Sequence, residues 1–145
     1  MKLEWLMLAD SAQVINNKLY LLGGGWDRVF VNSAFPASQP LGLAVAISVD
    51  WVETNQKHML HLEVLRESDN EQPQSLMAID AEFEIGRAPG LRPGASQRTQ
   101  LAINGTIQLV EPAVHTVVAM LDGEEAGRIN FEVVPGPLLQ PNRRG

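Results

Sequence analysis

Residues 41–50, Leu-Gly-Leu-Ala-Val-Ala-Ile-Ser-Val-Asp, decide the fold class. Leu41, Leu43, Val45, Ile47 and Val49 alternate with Gly42, Ala44, Ala46, Ser48 and Asp50. A period of two is that of a strand, which sends successive side chains to opposite faces, so the odd residues are expected in a core. The small residues on the even face leave room for a neighbouring element to come close.

Upstream, Asn32–Pro40 reads as a loop carrying Pro36 and Pro40, and Trp26–Val31 as a strand. Before it stands Tyr20–Arg28, YLLGGGWDR, with three consecutive glycines. Such a triplet between apolar runs marks a bulge, a bend or a close backbone approach. A phosphate-binding loop would need a Lys-Ser/Thr pair and a following helix, whereas Trp26-Asp27-Arg28 and a β-rich run follow here. Asn16-Asn17, between Val14-Ile15 and Lys18–Leu22, tolerates positive φ at both turn positions and predicts a two-residue hairpin. Lys2–Ala9 is apolar on both faces, as in a strand covered on both sides or lying along a subunit contact, and Asp10–Gln13 is expected to break it.

Downstream, His58–Glu67 places Leu60, Leu62 and Val64 on one face, and Leu76–Ile85 points Met77, Ile79, Ala81, Phe83 and Ile85 inward. Gly86–Arg98 reads as the longest structureless segment. Leu101–Leu109 predicts one strand kinked at Asn104-Gly105. Val114–Leu121 and Arg128–Val134 form a hairpin across residues 122–127, with Ile129, Phe131 and Val133 on one face. The reading gives an all-β, single-domain antiparallel sandwich of about eight or nine strands over residues 1–134, followed by a Pro-rich tail at 135–145, with a closed barrel second. Leu43, Val45, Ile47, Met77, Ile79, Phe83, Ile129 and Phe131 are expected in one core.

Composition narrows the function classes. A 145-residue chain can bury roughly two thirds of its unfolded surface in one core. Hydrophobic residues make up 45% and charged ones 19%, the balance of a globular protein. A net charge of −6 lacks the basic footprint of a nucleic-acid binder. The absence of cysteine excludes disulfides, thiolate catalysis and Cys-based metal sites. Leu3–Ala9 is too short, and too interrupted by Glu4, for a signal-peptide core, and no run approaches a membrane span. A cytoplasmic protein without nucleic-acid or membrane partners is expected.

Met7-Leu8-Ala9-Asp10, Asn17–Asp27 and the closing hairpin, with Asp122-Gly123-Glu124 and Phe131-Glu132-Val133-Val134, resemble the two ends of a family of small uncharacterised bacterial proteins. The resemblance implies a β-sandwich and a bacterial or phage source. It brings no activity and no catalytic residues.

The chemistry-bearing residues do not assemble into a catalytic or cofactor motif. His58 and His61, three apart on a strand, face opposite ways and cannot share a metal. There is no G-x-S-x-G elbow. Asp80, Glu82 and Glu84 share a face, with Glu63 and Glu67 on the strand before. That face is either a solvated surface or a dock for a basic partner. Arg87, Arg92 and Arg98 balance that acidity or grip an anion. Trp26-Asp27-Arg28 either recognises a ligand, with Trp51 at a loop rim, or pins the glycine bend. No enzyme, no cofactor and no metal site are expected. The expected function is binding of protein, whether copies of itself in a homo-oligomer or a larger assembly, through Leu3–Leu8 and the tail. The alternative is small-molecule or carbohydrate binding at Trp26, Asp27, Arg28 and Trp51.

Overall fold

The alternation at 41–50 is realised as the middle strand of a two-sheet stack. The computed structural model describes residues 1–137. Nine strands run in chain order: β1 (Lys2–Ile15), β2 (Lys18–Gly24), β3 (Arg28–Val31), β4 (Ala37–Val49), β5 (Lys57–Arg66), β6 (Gln74–Glu84), β7 (Gln97–Leu109), β8 (Ala113–Leu121) and β9 (Glu124–Pro135). One sheet has the order β2-β1-β4-β7 and the other β3-β9-β8-β5-β6. Every ladder is antiparallel except β3–β9, which is parallel. The chain is therefore an all-β sandwich in a single domain.

The inner faces supply the core. Leu41, Leu43, Val45, Ile47 and Val49 of β4 meet Leu60, Leu62 and Val64 of β5, Phe83 of β6, and Phe131 and Val133 of β9. Met77 and Ile129 pack against this cluster half-buried, while Ile79, on edge strand β6, stays outside it. An edge strand has one ladder neighbour, so its inward residues are covered from fewer sides.

Several expected boundaries move. Asp10–Gln13 does not end β1; the strand continues to Ile15 and changes partner at Ala9, from β4 to β2. Polar residues that would start a turn instead lie on the part of the strand that β2 alone pairs. β4 begins at Ala37, so Pro40 lies inside a strand, in the part that β7 alone pairs, where a missing N–H can face an unpaired side. β3 begins at Arg28, leaving Trp26 and Asp27 outside it. β7 keeps one register through Asn104-Gly105 and needs no kink. The last hairpin turns on Asp122-Gly123 alone, both at positive φ, and residues 124–127 belong to β9. Asn16 and Asn17 do take positive φ, as the hairpin between β1 and β2 requires.

The even face of β4 is also covered. Ala44 and Ala46 point away from the core yet are fully buried. The cover is the β1–β2 hairpin, an arm folded back over the outer face of β4 and β7. The Ala12 N–H donates to Asn104 Oδ1 at 2.9 Å, Asn104 Nδ2 donates to the Ala12 carbonyl at 2.7 Å, and Gln100 donates to the Asn17 carbonyl at 2.9 Å. At the crossing stands Gly42, where a Cβ would lie 2.9 Å from the Ala12 nitrogen and 3.0 Å from the Ser11 carbonyl carbon. The small residues of that face are what let the arm lie flat. The proline-rich tail lies, from residue 138 onward, outside the described residues.

Candidate functional site

The glycine triplet carries the chain from one sheet to the other. Gly23 and Gly25 have φ of 58° and 84°, and Asp10 occupies the space where a Gly23 side chain would be. The Gly25 N–H donates to the Leu8 carbonyl at 2.7 Å, and the Asp27 carbonyl accepts from Glu132 N–H at 2.9 Å, opening the parallel β3–β9 ladder. Trp26 meets Phe131 edge-on, ring centroids 5.5 Å apart. It lines a cleft of about 220 Å³ with Leu6, Leu8, Asp27, Ile129 and Asn130. Its indole N–H is buried and has no hydrogen-bond partner among the described residues.

Of the four residues singled out as a binding set, Trp26 and Asp27 share this cleft, and Arg28 and Trp51 lie apart from it. Arg28 pairs with Glu132 at 3.4 Å, both half-exposed, away from the indole. Trp51 opens a short 3₁₀ turn, Trp51–Glu53, at the other end of the sandwich. The register puts Ser48 opposite Lys2 and Leu43 opposite Leu8, so Trp51 and the Trp26 cleft are separated by about 20 Å of strand. Arg87 stacks on Trp51, Cζ 3.9 Å from the ring centroid, and donates to the Trp51 carbonyl and Thr54 Oγ1. An arginine of the long loop thus packs on a half-buried indole.

The histidines divide by face as their spacing requires. His58 is buried, its ring nitrogens 2.8 Å from Asp122 Oδ2 and 2.7 Å from the Glu53 carbonyl. Burial alone would lower its pKa, but these two acceptors and the Asp122 charge together raise it above the usual value. His61 lies on the outer face between Asp80 at 2.7 Å and Glu63 at 3.2 Å; hydrogen bonds to these carboxylates raise its pKa. With both nitrogens engaged by acids, His61 braces the acidic face instead of offering a free base. His115 is fully buried and stacked on Phe131 at 5.0 Å. Burial, with the Arg66 charge adding, lowers its pKa, and Nδ1 lies 3.0 Å from the Ala113 carbonyl. Among the described residues no group of three His, Asp or Glu side chains is placed to hold a metal ion. Glu67 turns out to accept from Thr116 at 2.8 Å instead of joining the acidic stripe.

A cluster of exposed apolar side chains lies on the arm, which the sequence reading did not single out. Ile15, Tyr20 and Leu22 are 50%, 54% and 71% exposed. Tyr20 and Leu22 share one face of β2, and Ile15 joins them from β1, diagonal to Tyr20. Leu19 and Leu21, on the opposite face, are half-buried. The signal was the all-apolar run 19–22, which alternation could not divide into a covered and an open face. The apolar faces of Leu3–Leu8 are accounted for differently: Leu6 and Leu8 enter the core, and Leu3 packs against it.

Comparison with solved structures returns low-scoring alignments at low sequence identity. A β-glucosidase from Listeria innocua in complex with gluconolactone aligns with a TM-score of 0.43 and 10% identity, over 76% of this chain and 15% of the enzyme. The same enzyme with isofagomine gives 0.42 and 10%, over 89% and 16%. The Pseudomonas fluorescens alkylpurine DNA glycosylase AlkC, bound to DNA containing an abasic site analog, gives 0.35 and 15%, over 74% and 27%. The chain thus spans about a sixth to a quarter of these proteins. No curated protein matches it in sequence. No helix among the described residues is long and apolar enough to cross a membrane. The two ends that carry the resemblance noted above, the Asn16-Asn17 hairpin with its glycine crossing and the β8–β9 hairpin, fall within one continuous match over residues 4–134, and the chain belongs to that family, a family of unknown function designated DUF6941.

Proposed function

We propose that this chain is a non-catalytic module of a bacterium or phage that works in the cytoplasm by contact with protein, copies of itself or a larger assembly. The observation that carries the reading is the open apolar face of the arm: three large side chains exposed together on a ribbon pinned over the sheet. Clustered exposed apolar groups mark contact surfaces more than single ones do. The test is a Tyr20→Ser, Leu22→Ser double variant, compared with the wild type by sedimentation and by retention of proteins from a lysate of the source organism. The wild type should self-associate or retain a partner, and the variant should lose at least about tenfold in either, with a melting temperature within about 2 °C because exposed substitutions cost little. A wild type that stays monomeric at about 100 μM and retains the same proteins as the variant overturns the reading.

A second reading rests on the Trp26 cleft. A buried indole N–H without a partner costs about 1–3 kcal/mol unless something accepts from it, and a small ligand with one acceptor would do so. Trp26→Phe keeps an aromatic ring and removes the donor. Binding of a small carbonyl or hydroxyl compound, followed by titration of the cleft, should weaken at least about fivefold in the variant, a loss near one hydrogen bond. Equal binding by both proteins, or none by the wild type at millimolar concentration, removes this reading.

A further inference from the structure

Among the described residues the sandwich has four edge strands, and three of them are defended against pairing. β6 carries Asp80, Glu82 and Glu84, so a second copy would set carboxylates against carboxylates. β3 has only four residues. β7 carries Arg98, Gln100, Asn104, Thr106 and Gln108 on its outer face, bears the arm there and approaches β6 where Met77 reaches Gly105. β2 differs. After Lys18 it reads Leu-Tyr-Leu-Leu-Gly-Gly, without a charge or a proline, and among the described residues β1 is its single ladder neighbour. Charges, prolines and short length are how natural edges avoid pairing, and from Leu19 to Gly24 β2 has none of the three.

We propose that β2 pairs antiparallel with β2 of a second copy, about a two-fold axis at Leu21. This rests on the protein-contact reading above and names its partner and register. The backbone direction follows from the hairpin. Ile15 and Lys18 flank a two-residue turn and so form a hydrogen-bonded pair, which turns the main-chain groups of Lys18, Tyr20 and Leu22 toward β1 and those of Leu19, Leu21 and Gly23 toward the free edge. An axis at Leu21 then sets Leu21 against itself as a hydrogen-bonded pair. It sets Tyr20 against the partner's Leu22, a close aromatic–aliphatic pair on the open face. Lys18 falls opposite the partner's Gly24, so no like charges meet. Two two-stranded ribbons become one four-stranded ladder, which is more stable than a lone hairpin.

The absence of cysteine makes the register testable by disulfide trapping. Tyr20→Cys and Leu22→Cys are made separately in the full chain; both sites are exposed, so folding is not at stake. Under mild oxidation a mixture of the two should give at least about five times more cross-linked dimer than either alone, because facing residues lie within disulfide reach and diagonal ones at about 7–8 Å do not. Val52→Cys, at a more exposed position, reports random collision. A mixture no better than the single variants overturns the β2 pairing. If sedimentation still finds a wild-type dimer, the protein-contact reading stands with another interface. If the wild type is monomeric, the second copy is excluded, and the lysate comparison alone decides the broader reading.

Discussion

Val45→Asp is expected to abolish folding. Val45 is completely buried, lies between Leu6 of β1 and Leu101 of β7, and faces the apolar residues of the opposite sheet. An aspartate there removes about 2 kcal/mol of apolar burial and adds a buried carboxyl group without a partner, costing several kcal/mol more. Against a total stability of about 5–15 kcal/mol, that is enough to empty the native state. Val45→Ala keeps the site apolar and should fold with a loss of about 2–3 kcal/mol. Circular dichroism and thermal melting check both. A folded Val45→Asp protein with a cooperative melt would mean that the odd face of β4 is not the core.

The second large effect is expected at Gly42, on the face that alternation alone marks as outward. Gly42→Val would drive a branched side chain into the backbone of Ser11 and Ala12, which cannot swing aside as a side-chain tip can. The arm must then lift, and the paired hydrogen bonds between Asn104 and Ala12 are lost with it. Overpacking and two lost hydrogen bonds together cost about 2–5 kcal/mol, a fall of about 7–16 °C in melting temperature for a domain of this size. The core ladders should remain, so hydrogen exchange is expected to lose protection at Ala12 while Leu62 and Val117 keep theirs. Asn104→Ala should reproduce the loss of Ala12 protection with a smaller fall. A Gly42→Val protein that melts like the wild type would show that the arm does not rest on β4.

The arm also explains why the function is harder to read than the fold. Arg28, paired with Glu132, and Trp26, packed on Phe131, are neighbours in sequence that the crossing sends to different surroundings. Trp51 is removed from both by its place beyond β4. Adjacent side chains at a bend diverge, so a run of recognition-type residues in the sequence is not a site until the backbone turns them together.

By itself the sequence determined what short-range physics controls. Period-two alternation set the inward faces of β4 and β5 and of Phe131 and Val133 in β9, and Asn16-Asn17 set the first hairpin, because side-chain direction and turn backbone depend on neighbours a few residues away. His58 and His61 fell on opposite faces for the same reason. Only the tertiary structure decided the change of partner at Ala9, the parallel β3–β9 ladder, and the arm that buries Ala44 and Ala46. Each requires segments far apart in the chain to compete for the same sheet edge or face. The residues from Leu19 to Leu22 are all apolar, so no local pattern separates Leu19 and Leu21, pressed inward, from Tyr20 and Leu22, left open. That choice was made by Gly42, Gln100 and Asn104, which hold the arm down from positions 20 to 92 residues away from the residues they contact or that the arm presents.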